Sequence, residues 1–451
     1  MRTHTLGYRT ESLFPPRLAQ GVQPRGRSLG FRLLRFGLLL LSSAIATVVL
    51  CPLALVLRVV HAFGPRREDR VFIGFHEIAN VIQSISECLA ETYSSVRAVI
   101  MTNLFYGTEN VPRKQNLHLK YFPGDRGIRT LLFECILPFR LITEIVKNDL
   151  FVIIWNRSFM PLSIDYLLLK LAGKQLVLIH CGDDVRYRPM QRIIDAEVGH
   201  RSWPSAKASL YQFFTSLYYQ TLSESLASVI SHPDQSTFQS GALFHFRFPQ
   251  KALLAESKRA SARPLILHCP SDRTVKGTDV VLSAIHDLRE QGLKFDFELI
   301  ENSSNEYVLE RMKNADIVVD QPSVWIGRVA VEGMAAGCCV VGGNRSMYMQ
   351  RFDSPVVQFE PNAGQLAAAL KELIVNPEVR QSKMNECFSF WKAHYSYEEY
   401  AKYFQAVTRG TAAAFLPRPD QKRFLLRGAS SWLERWVVRL GYYPKTAFTR
   451  E

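Results

Sequence analysis

Two basic side chains three residues apart, Arg273 and Lys276, lie in a segment where an apolar run, Leu265–His268, gives way to a polar loop ending at Gly277. A guanidinium and an ammonium beside open backbone N–H groups suit a diphosphate, and a glycine at the loop end permits close backbone approach to such an anion. A solvated surface loop would carry the same residue types. The stretch from Ala315 to Val341 adds a second set. There an apolar strand ends at Asp320, a loop follows, and a helix opens near Gly327 with its first N–H groups unpaired. Glu332 falls on the second turn, where a carboxylate can accept hydrogen bonds from two vicinal hydroxyls such as those of a ribose. An exposed helix glutamate is the alternative.

Taken together, Lys276-Gly277, Gly327, Glu332 and the small-residue run from Gly333 to Gly337 before Val340 and Val341 resemble the donor-binding domain of GT-B-fold glycosyltransferases, in particular the family 4 retaining enzymes. The resemblance implies that Arg273 and Lys276 neutralise a departing diphosphate. It implies that Gly277 and Gly327 bring backbone to the same phosphates, and that Glu332 binds the donor ribose. The family usually has a second Glu, contacting the transferred sugar, eight positions before the first; here that position is Val324. Asp320, at the strand end, is the acidic residue nearest to substitute. No metal and no cofactor is implied, since the family's leaving phosphate itself helps to deprotonate the acceptor.

Two places in the first half of the chain could face the same cleft, because ligands of paired α/β domains sit at the carboxyl ends of the strands. One is the strand Gln175–Ile179 running into His180, Gly182, Asp183 and Arg186. It resembles the His-Gly-x-Asp element of bacterial relatives, with His180 as a sugar contact. A structural strand-end histidine and a local Asp183–Arg186 ion pair are the alternatives. The other follows Val71–Phe75, where His76, Glu77 and Asn80 are acceptor-side candidates or helix-capping residues. His232, at the end of Ser228–Ser231, is a strand end before an Asp N-cap.

Positioning these residues takes two alternations of short apolar runs with longer helical patterns, the mark of parallel sheets with crossover helices. The fold class is therefore α/β, two Rossmann-like domains facing a cleft, preceded by a membrane segment. Residues 71–250 form an N-terminal acceptor domain, with strands at Val71–Phe75, Ala98–Met101, Leu150–Trp155, Gln175–Ile179 and Ser228–Ser231. Residues 263–407 form a donor-binding domain, with strands at Leu265–His268, Phe295–Ile300, Ile317–Asp320 and Cys338–Val341. A loop and helix are predicted over 276–291, and further helices at 305–313, 327–336, 362–374 and 395–407.

Residues 36–57 carry no charge, and 22 residues at ~1.5 Å each suffice to cross a ~30 Å hydrocarbon layer. The uncharged stretch exceeds the usual length of a signal-peptide core. Arginines flank it on both sides, so positive-inside bias does not orient it, and Pro52 allows either a single pass or a re-entrant turn. With a re-entrant turn both flanks, and the catalytic domains, lie on the cytoplasmic face. The formal charge is +14, of which residues 1–35, 58–70 and 418–451 hold +13. The body between them is nearly neutral, which argues against nucleic acid as a partner. Residues 418–451 form a basic tail in which Trp432 and Trp436 alternate with arginines, suited to a membrane interface or to packing on the body. Eight cysteines without paired spacing indicate a reducing compartment.

The sequence thus predicts a membrane-associated enzyme moving a sugar from a nucleotide diphospho-sugar to a lipid-linked, glycolipid or polysaccharide acceptor. The rivals are a binding or scaffold protein that kept the fold without turnover, and a sugar-nucleotide epimerase or phosphorylase of the same architecture.

Overall fold

A computed structural model of the chain describes residues 29–63, 69–77, 80–103, 128–156, 158–181, 184–185, 209–232, 243–271, 273, 276–321, 326–342, 354–359 and 362–415. Residues 1–28, the tail 418–451, and Asp183, Arg186 and Val324 lie outside the described residues.

The first half runs α1 (Leu29–Phe63), β1 (Arg70–Glu77), α2 (Val81–Ala90), β2 (Ser95–Asn103), α3 (Ile128–Lys147), β3 (Leu150–Ile154), α4 (Asp165–Leu171), β4 (Gln175–Ile179), α5 (Ser209–Leu226), β5 (Ser228–Ser231) and β6 (Leu243–His245). The second half runs β7 (Leu265–His268), α6 (Thr278–Glu290), β8 (Asp296–Leu299), α7 (Asn305–Asn314), β9 (Ile317–Val319), α8 (Arg328–Ala335), β10 (Cys339–Gly342), β11 (Val357–Gln358), α9 (Ala363–Val375), α10 (Pro377–His394), α11 (Tyr397–Arg409) and β12 (Ala414–Phe415). The strands form two sheets, one of seven in the order β12-β6-β5-β4-β3-β1-β2 and one of five in the order β11-β10-β9-β7-β8. Every pairing is parallel except β12 against β6.

Strands β3 and β9 are buried along their whole length, which is why they read as unbroken apolar runs in the sequence. β1 is longer than its predicted core: Glu77 ends it, buried, with Oε1 accepting from the Ile82 amide at 3.1 Å and Oε2 from Gln83 at 3.0 Å. The carboxylate thereby caps the start of α2, while Asn80 turns the chain in the left-handed region at φ 59°.

Helix α11 packs back on the first half. The Tyr397 carbonyl accepts from Cys88 Sγ at 3.2 Å, and Tyr397 Oη lies 3.1 Å from Glu87 Oε2. The chain beyond it then adds β12 to the seven-stranded sheet. Helix α10 has no counterpart in the sequence expectations. Its buried face contains Arg380, which donates to the carbonyls of Leu373 and Ser261 and lies 3.8 Å from Asp316. A charged residue at the centre of a buried stripe breaks the apolar periodicity that would reveal the helix.

Helix α1 stays helical through Pro52 and lies along α3 and α4. Ala46, Leu50 and Ala54 are fully buried in the core formed by one face of the larger sheet.

Candidate functional site

Three of the predicted residues meet at the carboxyl ends of β7 and β9. Lys276 Nζ lies 3.0 Å from Asp320 Oδ1 and 2.8 Å from Gln321 Oε1. The second Asp320 oxygen, Oδ2, accepts from the Gly327 amide at 3.1 Å, at the start of α8. One buried carboxylate therefore joins a lysine to a helix N-terminus, a place suited to negative charge because the first N–H groups of a helix lack intrahelical partners. Gly327 has ordinary extended dihedrals, φ −75° and ψ 174°. Its glycine identity comes from proximity instead, since a Cβ would sit 2.5 Å from Asp320 Oδ2. Gly277, at φ 63°, is glycine for the other reason: it caps α6 in the left-handed region.

Glu332 is buried on α8, and its Oε1 accepts from Arg328 Nε at 2.9 Å and Asn305 Nδ2 at 3.1 Å. Arg328 also reaches the other half of the molecule. Its Nη1 donates to Ser84 Oγ on α2 at 3.1 Å, and its guanidinium lies 5.5 Å from the centre of the Phe248 ring. Helix α2, capped by Glu77, thus abuts the helix that carries Glu332.

Arg273 stands on the same loop as Lys276 but turns outward to Glu301, with Nε to Oε1 at 2.7 Å and Nη2 to Oε2 at 2.6 Å. This fork holds the Glu301 carboxyl below its ordinary range, chiefly through the hydrogen bond and against the cost of burial. The arginine is 53% exposed, so the pair is cheap to open.

The loop itself is anchored by His268. Its Nδ1 lies 2.9 Å from the Val319 carbonyl and must be the protonated nitrogen, so Nε2, 3.0 Å from Thr278 Oγ1, accepts from that hydroxyl. Burial lowers the pKa of this imidazole, in keeping with a neutral ring whose two nitrogens are both used. His268, Glu301, Asn305, Gln321 and Arg328 were not singled out from the sequence as site residues. Only Arg328 had a local signal there, four residues before Glu332 on one helix face.

On the first sheet, His180 follows β4 but is fully buried, with Nε2 3.3 Å from Ser223 Oγ on α5. Desolvation lowers its pKa to about 3. His76 is buried and stacked on Trp155, with ring centres 5.3 Å apart. Glu77 and Asn80 build the start of α2 as described, and His232 packs against Phe246 at 4.6 Å. Among the described residues, no three His, Cys, Asp or Glu side chains are grouped as metal ligands would be.

No family model and no curated protein matches the chain. Among solved structures it is similar to HepE (Alr3699) of Anabaena in complex with UDP, at 12% identity and a TM-score of 0.50, covering 76% of this chain and 100% of that one. It is also similar to a glycosyltransferase from Rickettsia africae, at 13% identity and TM-score 0.46, covering 76% of this chain and 97% of that one. The catalytic domain of starch synthase IV from Arabidopsis thaliana bound to ADP and acarbose matches at 12% identity and TM-score 0.44, covering 76% of this chain and 99% of that one. Two Rossmann-like sheets, together with the HepE match along its full length, establish the fold as GT-B.

Proposed function

We propose that the chain is a membrane-associated glycosyltransferase that moves a sugar from a nucleotide diphospho-sugar to a hydroxyl of a lipid-linked, glycolipid or polysaccharide acceptor, with retention at the anomeric carbon. The observation that carries this is the convergence of Lys276 with the N-terminus of α8 at the carboxyl ends of β7 and β9, where open α/β sheets bind phosphorylated ligands.

In the reaction the bond from the anomeric carbon to the diphosphate oxygen breaks and a bond from the acceptor oxygen forms. The acceptor proton passes to the departing diphosphate. An ammonium has three N–H donors, and two of those on Lys276 face Asp320 and Gln321; the third is assigned to the diphosphate. Arg273 swings from Glu301 to the same charge, since opening an exposed pair costs only about 0–1 kcal/mol. Glu332, fixed through one oxygen, offers the other to the ribose. These positive groups stabilise charge that grows as the diphosphate leaves, which is the interaction that accelerates such a step.

A second reading, binding without turnover, is favoured by the carboxylate that already stands on each cation. Purified full-length protein, given a panel of nucleotide diphospho-sugars with membrane lipid extract, should release nucleoside diphosphate and label a lipid. Both signals should fall when Lys276 or Arg273 is replaced. Tight nucleotide binding without release identifies the second reading, and folded protein that neither binds nor turns over any donor overturns both.

A further inference from the structure

Helix α1 is long and apolar enough to cross a membrane, yet its contacts with the folded domain run nearly end to end. Arg35 Nε pairs with Glu134 Oε2 at 2.9 Å, and Ser42 Oγ donates to the Cys135 carbonyl at 2.6 Å. Leu50 and Ala54 are fully buried, and Arg58 Nη1 donates to the Lys170 carbonyl at 3.2 Å. His61 Nε2 lies 3.3 Å from Lys174 Nζ and 3.7 Å from Asp149 Oδ1. From Arg35 to His61 the helix rises roughly 39 Å at 1.5 Å per residue, more than the ~30 Å of a hydrocarbon layer. A helix held to a water-soluble sheet domain over that length cannot traverse the layer without taking α3 and α4 in with it.

The two faces of α1 differ in kind. The docked face carries Ser43, Ala46, Leu50 and Ala54, and its small residues allow close helix packing. The outer face carries large aliphatic side chains, among them Leu41, Val48 and Val56, with Val48 75% exposed. Beside it, α3 presents Ile136, Phe139 and Val146, also exposed. The Ser42–Cys135 bond sets Ile136 next to the α1 stripe. No charge interrupts α1 between Arg35 and Arg58. Towards the far end, Arg58 on α1, Lys147 on α3 and Lys170 on α4 are each exposed, and Arg58 reaches the Lys170 carbonyl.

We propose that α1 and α3 form one in-plane seat that enters a single leaflet of an anionic bilayer, the aliphatic stripe among acyl chains and the Arg58, Lys147 and Lys170 end at the headgroups. The surface suits lipid more than protein because the exposed side chains along its apolar length are aliphatic or aromatic apart from the Thr143 hydroxyl on α3, and acyl chains require no hydrogen-bonding partner, while the basic end complements acidic headgroups. The inference rests on the membrane-associated reading above and refines its topology from a crossing to a one-sided seat. An acceptor hydroxyl at the headgroup level would then lie on the same side as both domains.

The test uses full-length protein, without any sugar donor, so that its outcome is separate from that of the transferase reading. Leu33→Cys and Phe63→Cys, at the two ends of α1, are labelled with a membrane-impermeant maleimide on sealed membrane vesicles, above the wild-type background. Equal labelling of both positions, unchanged by permeabilisation, is expected; labelling of one only after permeabilisation overturns the seat in favour of a crossing. In flotation with phosphatidylglycerol–phosphatidylethanolamine vesicles, Val48→Lys combined with Val56→Lys should weaken binding at least tenfold while the thermal melt is kept. Unchanged vesicle binding, with a dimer converted to monomer, would show that a second copy covers this face and would also overturn the proposal.

Discussion

Gly327→Ala tests whether the Asp320 carboxylate is the centre of the site. The backbone at position 327 is extended and accepts alanine, so no conformational penalty arises from φ or ψ. The cost is steric. The new methyl would lie 2.5 Å from Asp320 Oδ2, and reaching ordinary contact requires the carboxylate to retreat by roughly an ångström. That carboxylate is 3% exposed and held through both oxygens, at 3.1 Å by the Gly327 amide and at 3.0 Å by Lys276. Hydrogen bonds to charged groups contribute about 1.5–3 kcal/mol each, so losing one and stretching the other should destabilise the protein by about 2 kcal/mol. This is a fall in melting temperature of roughly 4–8 °C for a domain of this size. If Lys276 addresses the diphosphate, its displacement should also weaken nucleoside-diphosphate binding by about tenfold, or ~1.4 kcal/mol. The assay is a double-mutant cycle with Asp320→Ala, read by denaturant unfolding and by calorimetric titration with UDP and other nucleoside diphosphates. With the carboxylate gone, Gly327→Ala should cost less than about 0.5 kcal/mol, because the methyl enters vacated space. Equal costs in both backgrounds would refute the reasoning.

The two cations should separate by readout. Arg273→Ala, whose partner pair is exposed, should change stability by less than ~1 kcal/mol while lowering donor turnover; Lys276→Met leaves Asp320 without its cation and should cost about 3 kcal/mol as well as binding. Equal stability losses in chemical denaturation would contradict this assignment. His180 should confer a pH dependence of definite sign. Its folded-state pKa is about 3 against 6.5 for the ordinary imidazole, so between those values the unfolded chain binds more protons. Stability therefore falls as the pH drops through that window, by about 2 kcal/mol at pH 5 relative to pH 8. His180→Leu should remove that increment from the pH profile of unfolding, and superimposable profiles would show that the ring is not held neutral.

What was legible in the chain is what its local chemistry announces. Leu265–His268, Gln175–Ile179 and Ser228–Ser231 match the observed strands at both ends, because a strand buried on both faces reads as an apolar run between polar turns. Gly277 and Gly327 could be placed at loop ends from their type alone, although the physical reasons differ: a left-handed cap in one, the approach of a carboxylate in the other. The partners of the site were hidden for a different reason. Glu301 is 28 residues from Arg273, and Ser84 is 244 from Arg328. Arg273 meets Glu301 only when β7 and β8 pair side by side, and Arg328 meets Ser84 only when the two halves of the chain come together; no periodicity or spacing encodes either meeting. Helix α1 shows the same limit more sharply. Its hydropathy was plain, but a helix apolar on all sides has no moment to reveal which stripe docks on protein and which faces outward. Part of the difference lies in side-chain size, small at the buried Ala46 and Ala54 on either side of Leu50, larger at the exposed Val48 and Val56. Size asymmetry within an apolar helix therefore carries information that hydropathy averages away: small residues at Ala46 and Ala54 let α1 pack closely on the core of the larger sheet, a contact that a helix surrounded by lipid alone does not make.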